Sequence, residues 1–246
     1  MSITSPEELE RLRVIGRIVR ASLNAMAASV GPGMTAGELD RIGARVLAEC
    51  GAAPAPPKVY GFPGAVCISV NDEAVHGIPG SRVLQPGDLV ELDLVAEKSG
   101  LLADAAVTIG VAPISGSAEA IMRCAEQAFQ EAARVARAGA RLSEIGRAVS
   151  REVTRRGFHV IPELGGHGIG RTIHEAPSVS NYPDPTCRTL LAGGLVITIE
   201  PIVSARSGRG LLDPNGCTIR TADGSLSTHY EHTLVITEDE PIVITA

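Results

Sequence analysis

The sequence predicts an α+β fold in which two α/β halves repeat one another around a central sheet. Three observations lead there. An ordered pattern of helix, helix, strand and acid occurs twice, acidic residues stand inside apolar strands, and a glycine-rich segment holds two of the six histidines. Both copies fit within 246 residues, a length that buries a full core as one domain. The expected halves are residues about 1–115 and 116–246.

The elements follow in order. Ser5 can cap a first helix, Pro6 suits its first position, and Glu7 and Glu8 favour the positive helix start. That helix is expected to run to about Gly31-Pro32-Gly33. Thr35 and Glu38 form a capping box for a second helix that ends near Gly51. LVELDLVAEKSGLLADAAVTIGV, from Leu89 to Val111, reads as a strand, a Lys98-Ser99-Gly100 turn and a returning strand. A long helix from about Ser117, a break at Gly139 and a helix from about Ser143 to Gly157 then repeat the opening material.

An offset of 106 residues pairs Gly33 with Gly139, Glu38 with Glu144, Leu39 with Ile145, Leu47 with Val153 and Gly51 with Gly157. An offset of 107 pairs GDLVELD (Gly87 to Asp93) with GLVITIE (Gly194 to Glu200). Each is a glycine followed by a strand with an acid at the seventh position. A repeat this long, occurring twice, indicates a duplicated fold with a pseudo-twofold and not a solenoid.

Composition narrows the function. Lys and Arg total 22 against 28 Asp and Glu, for a formal charge of −6 with no basic run. That argues against a nucleic-acid groove or an anionic membrane surface as the partner. Five cysteines without a CxxC pair fit a reduced compartment better than a disulfide framework. Glu7, Glu8 and Glu10 precede any apolar run, unlike a signal peptide, and no uncharged apolar stretch approaches membrane-spanning length. The expected location is the cytoplasm.

The acids carry the chemistry. The midpoint of Asp93 and Asp104 falls inside the turn, so the simplest hairpin makes them directly opposed, with Cβ atoms roughly 5 Å apart. Like charges so placed repel unless a cation or a shared proton lies between them. Their neighbours are Leu92, Leu94, Leu102, Ala103, Ala105 and Ala106, where a solvated hairpin would alternate with polar residues. Glu200 stands before the closing Pro201 of LVITIEP, and Glu231 begins another apolar strand. Either glutamate alone reads as a strand-end surface residue. Four acids in apolar strands need a joint explanation, because ionised carboxylates are rarely buried unpaired.

The stretch Gly165 to Pro177, GGHGIGRTIHEAP, supplies His167 and His174. Its four glycines make helix and strand alike costly, so a shaped turn is expected in place of a regular element. His167 with the four carboxylates makes a set whose charge two divalent cations would neutralise. Oxygen-rich ligation with one nitrogen suits cobalt, manganese, iron or zinc in a dinuclear site, and not a thiolate structural zinc.

CISVNDEAVHGIP (Cys67 to Pro79), the Asp93 and Asp104 pair, GGHGIGRTIHEAP, ITIEP and YEHTLVIT occur in this order along the chain. In this it resembles the type I methionine aminopeptidases of peptidase family M24, over essentially its whole length. The resemblance implies the pita-bread fold, with two pseudo-twofold-related halves around a curved antiparallel sheet, as one catalytic domain. It implies Asp93, Asp104, His167, Glu200 and Glu231 as ligands of two divalent ions, with Asp104 and Glu231 bridging. His76 and His174 match the two substrate-facing histidines, and Phe62, Cys67, Ile173 and Cys217 the pocket for the first side chain. The implied reaction is removal of the N-terminal methionine by a metal-bridging hydroxide, with Glu200 shuttling the proton. The implied partners are nascent polypeptide N-termini at the ribosome, met by a monomer, with no nucleic acid and no membrane.

Some positions depart from that family. Ala105 follows the second aspartate where threonine is usual, Leu102 stands where bacterial members often have histidine, and His229 replaces a glutamine. Ile173 and Cys217 stand where larger aromatics are frequent. Only 25 residues separate His174 from Glu200, too few for the helical insertion of a type II enzyme. Xaa-Pro aminopeptidases and prolidases share the fold and metal set but usually carry a further N-terminal domain. A non-catalytic binding protein of this fold should lose ligands and gain basic surface, and this chain does neither.

Overall fold

The computed structural model describes residues 1–246. Helices α1 (Pro6–Ala27) and α2 (Ala36–Glu49) precede β1 (Ala53–Pro54), the short α3 (Pro56–Tyr60), β2 (Cys67–Val70), β3 (Glu73–Val75), β4 (Leu89–Lys98) and β5 (Leu101–Gly110). The chain continues through α4 (Gly116–Val135), α5 (Leu142–Arg155), β6 (His159–Val160), β7 (Gly165–Gly168), β8 (Glu175–Ser180) and β9 (Val196–Ile199). It ends with β10 (Ile202–Ser204), β11 (Gly210–Leu212), β12 (Ile219–Thr221), β13 (Ser227–His229), β14 (Glu231–Val235) and β15 (Ile242–Val243). No helix is long and apolar enough to cross a membrane.

The helix signals act as their chemistry dictates. Ser5 accepts from the backbone of Glu8, and the Thr35 capping box closes in both directions. Helix α1 stops at Ala27, a turn earlier than the glycines suggested, because Ser29 and Val30 donate to the carbonyls of Met26 and Ala27 in a tightened turn.

A nine-stranded sheet forms the centre, in the order β1-β4-β5-β14-β9-β7-β8, with β2 on β4 and β15 on β14. All its pairings are antiparallel. The fold carries the duplication. Helices α2 and α5 begin and end 106 residues apart, and β4 and β9 begin 107 apart. The isolated bridges Thr35–Val83 and Arg141–Leu190 repeat with the same offsets. Gly87 and Gly194, the glycines before the paired strands, both have positive φ, which explains why glycine opens each copy. The pseudo-twofold passes between β5 and β14.

Alternation assigns the two faces of the sheet. Leu92, Leu94, Ala103 and Ala105 join α1 and α2 in one apolar cluster, while Ile197, Ile199 and Leu234 join α4 and α5 in a second. The four long helices α1, α2, α4 and α5 therefore cover one face. The opposite face presents Glu91, Asp93, Asp104 and Glu231, and it is left open to form the site.

Two expectations need correction. The β4–β5 turn has two residues, Ser99 and Gly100, both with positive φ, as a type I′ turn requires. Lys98 pairs with Leu101, so Asp93 lies opposite Ala106 and Asp104 opposite Val95. The aspartates are diagonal neighbours on one face and are not directly opposed. Second, Gly165–Gly168 is a strand between β8 and β9, with a bulge after His167. Its glycines serve close approach: a Cβ on Gly166 would sit 2.4 Å from the Thr198 carbonyl oxygen, and one on Gly168 2.4 Å from that of Ala176.

Candidate metal centre

All eleven residues singled out in the sequence line one cavity of about 520 Å³: Phe62, Cys67, His76, Asp93, Asp104, His167, Ile173, His174, Glu200, Cys217 and Glu231. They come from both halves of the chain. The sheet register explains the meeting, because β5 and β14 are the central neighbours that bring Asp104 and Glu231 together. One ligand atom from each of Asp104, His167 and Glu231 lies within 4.8 Å of the others.

Local contacts orient each group. The Thr233 hydroxyl clamps Asp104, accepting from its amide at 2.9 Å and donating to its carbonyl at 2.8 Å. The Thr198 hydroxyl donates to Glu200 Oε1 at 2.8 Å and accepts from the His167 amide at 3.1 Å. His167 Nδ1 lies 2.9 Å from the Gly168 carbonyl, which accepts its proton and leaves the Nε2 lone pair free. That Nε2 faces Glu200 Oε1 at 3.6 Å and Asp104 Oδ2 at 3.9 Å.

The electrostatics call for cations. No Lys or Arg pairs with Asp93, Asp104, Glu200 or Glu231; the rings of His167 and His229 are the basic groups within 3.9 Å of the last three. Burial pushes Asp93 up to about 7 and drives Asp104 and Glu231 well above the carboxylate range, with Asp93 adding to the effect on Asp104. Burial also raises Glu200. Asp104 Oδ1 and Glu231 Oε1 are buried without a hydrogen-bond partner. Uncompensated carboxylates of this kind cost several kcal/mol each unless a cation joins them. Hard oxygen donors with an imidazole fit divalent ions well.

Around this centre the cavity differentiates. His76 and His174 stand accessible at its wall, and His76 is held at a positive φ of 57°, a conformation rare outside glycine. Phe62, Cys67 and Ile173 are buried and apolar, and Cys217 is half-buried beside Gly216.

Three neighbours escaped the sequence reading. Tyr60 Oη lies 2.5 Å from His174 Nδ1. His229, noted only as a replaced glutamine, lines the cavity, and Glu91 lies 3.3 Å from its Nδ1. Glu91 was legible in one respect: it precedes Asp93 by two, so it shares the same sheet face.

Fold and site together define a metallopeptidase, and the chain belongs to it: the signature of Metallopeptidase family M24 matches residues 10–238. Within the family the similarity is to methionine aminopeptidases. Methionine aminopeptidase 2 of Bacillus subtilis (strain 168) is 45% identical over 247 residues, spanning 100% of this chain and 99% of the relative. The crystal structure of methionine aminopeptidase from Thermotoga maritima superposes with a TM-score of 0.96 at 33% identity, covering 100% of this chain and 99% of that one. Prolidase from Pyrococcus furiosus shares the fold, with a TM-score of 0.79 at 23% identity over 99% of this chain and 65% of that one. The pita-bread architecture expected from the sequence is the one observed.

Proposed function

We propose that this protein removes the N-terminal methionine from nascent proteins and peptides by metal-dependent hydrolysis. The supporting observation is one cavity that joins a buried, cation-demanding acid cluster to an apolar pocket, with two histidines between them. Asp93, Asp104, His167, Glu200 and Glu231 would hold two divalent ions of the cobalt, manganese, iron or zinc type. When bound, such ions polarise the scissile carbonyl and make water acidic enough to act as a nucleophile near neutral pH.

The chain's own residues do the rest. Glu200, oriented by Thr198, takes the proton from the attacking water and later delivers it to the leaving amine. Tyr60 donates to Nδ1 of His174, so the ring keeps its proton on Nε2 and can offer it to the developing oxyanion. Partial withdrawal from water, then the neighbouring His167, pushes His174 down to about 4, so it acts as a neutral donor. His76 contacts the amide beyond the scissile bond. Phe62, Cys67, Ile173 and Cys217 accept the first side chain, for which a thioether suits an apolar wall.

One chain supplies every site residue, which favours a monomer of one catalytic domain, with halves dividing near residue 115. We place its activity in the cytoplasm, on chains emerging from the ribosome. The test is hydrolysis of a Met-Ala-Ser peptide by metal-loaded protein against a Xaa-Pro peptide. Release of methionine from the first only supports the reading; preference for the second overturns it in favour of a prolidase-like activity.

A further inference from the structure

Glu91, on the active face of the central sheet, and His229, at the end of β13 in the separate β13-β10-β6 sheet, form a buried pair, each only 2% exposed. The backbone of His229 is pinned by Thr108, whose hydroxyl accepts from the His229 amide at 3.0 Å and donates to its carbonyl at 2.9 Å. These bonds fix where the Cα of His229 sits, and the contact with Glu91 orients the ring itself. Its Nδ1 lies 3.3 Å from Glu91 Oε1. Its Nε2 lies 3.6 Å from Glu231 Oε2 and 3.7 Å from Glu200 Oε2, and it has no hydrogen-bond partner.

Those two distances are too long for hydrogen bonds and too short for indifference. With Nδ1 donating to Glu91, Nε2 turns a lone pair towards two carboxylates, an arrangement that repels unless a cation lies between them. Metal–nitrogen and metal–oxygen bonds of about 2.0–2.2 Å allow two donors on one ion to lie up to about 4.2 Å apart. His229 meets that limit towards Glu200 and Glu231, as His167 meets it towards Glu200 and Asp104. A ligating histidine typically gives its other ring proton to a carboxylate, which is where Glu91 stands.

We infer that His229 is a sixth protein ligand of the metal centre, joining Glu200 and Glu231 on a shared ion, with Glu91 as its positioning residue. The inference rests on the ligand set proposed above. It adds a second imidazole to a site read as having one, and it accounts for both unpartnered Nε2 and the buried Glu91.

The experiment uses protein labelled with ¹⁵N-histidine, followed by long-range ¹H–¹⁵N correlation before and after loading with Zn²⁺. Two rings, assigned by His167→Gln and His229→Gln, should move their Nε2 resonances to metal-bound positions. Calorimetric titration with Zn²⁺ should show His229→Gln and Glu91→Gln weakening one ion about 10–100-fold while the other is retained. Should His229→Gln not fold, the wild-type spectrum still counts the coordinated rings. A single coordinated ring, lost in His167→Gln, would overturn the proposal and leave the five-ligand site standing. Failure of the wild type to take up any divalent ion would overturn both.

Discussion

Asp93 and Asp104 share one face of the β4–β5 hairpin as diagonal neighbours, Asp93 opposite Ala106 and Asp104 opposite Val95. The offset leaves room for both carboxylates to approach common ions without sitting head to head. It also places Ala106, the smallest side chain on that face of β5, opposite Asp93 and paired with Glu231 on the next strand. The acids of both halves therefore converge over an alanine floor.

Metal removal should make stability fall as pH rises. Burial takes Asp93 from the ordinary 3.8 to about 7 in the metal-free fold. A group raised on folding binds its proton more tightly in the native state, so its contribution is full below pH 3.8 and lost as pH passes 7. Melting temperatures of chelator-treated protein between pH 4 and 8 should decline relative to those of Asp93→Asn, which lacks the titrating group. Divalent metal should reverse the trend, since its ligands are deprotonated carboxylates. Parallel curves for the two proteins would contradict this account.

Glu200→Gln should lower kcat by about 10²–10⁴-fold, the range for loss of a general acid–base group. The amide keeps the shape and the contact with Thr198 but cannot take a proton. With bound metal confirmed in the variant, turnover of Met-Ala-Ser close to the wild-type rate would remove Glu200 from its role.

His174→Ala should reduce kcat more than it raises KM, by on the order of 100-fold, because the ring is assigned to charge that develops in the transition state. Tyr60→Phe should produce a smaller drop, up to about tenfold, from loss of one orienting hydrogen bond. An effect of His174→Ala confined to KM would assign the ring to ground-state binding.

Gly166→Ala should destabilise the protein by about 1–3 kcal/mol through overpacking. Its Cβ would meet the Thr198 carbonyl oxygen at 2.4 Å, and that contact is backbone, which cannot rotate away. The strand must then move, carrying His167 with it. Thermal melts and Zn²⁺ titration should both register the change; an unaltered melting temperature would show that β7 adjusts freely.

Methionine should be preferred but leucine and norleucine tolerated, because Ile173 and Cys217 provide less ring surface than aromatics would. Apolar pockets discriminate by about 1–3 kcal/mol per methylene, so modest extra volume erodes selectivity without abolishing it. Cys217→Trp should sharpen the preference. Comparison of kcat/KM for Met-, norleucine- and Leu-initiated peptides decides the matter: absolute rejection of leucine by the wild type, or unchanged ratios in the variant, would mean that neighbours have refilled the space.

Much of this molecule is written locally. Capping residues at Ser5 and Thr35, the repeated glycine–strand–acid pattern and the acids within apolar strands each express a preference of a few adjacent residues. The sequence alone was therefore sufficient for the α+β fold, and the eleven positions it proposed, those of the pocket and the two substrate-facing histidines through the family resemblance, line one cavity. Alternation also assigns each acid to a face of its own strand. What it cannot assign is how one strand lies against another. The hairpin register depended on whether the turn took two residues or three, and the type I′ geometry at Ser99 and Gly100 decided it. The glycines around His167 read as a turn because their function, close approach to Thr198 and Ala176, involves backbone that is distant or doubled back. The Glu91–His229 pair joins residues 138 apart in sequence. The pairing of β13 with β10 and the clamp of Thr108 on the His229 backbone bring that residue over the acids, and no local propensity encodes such contacts.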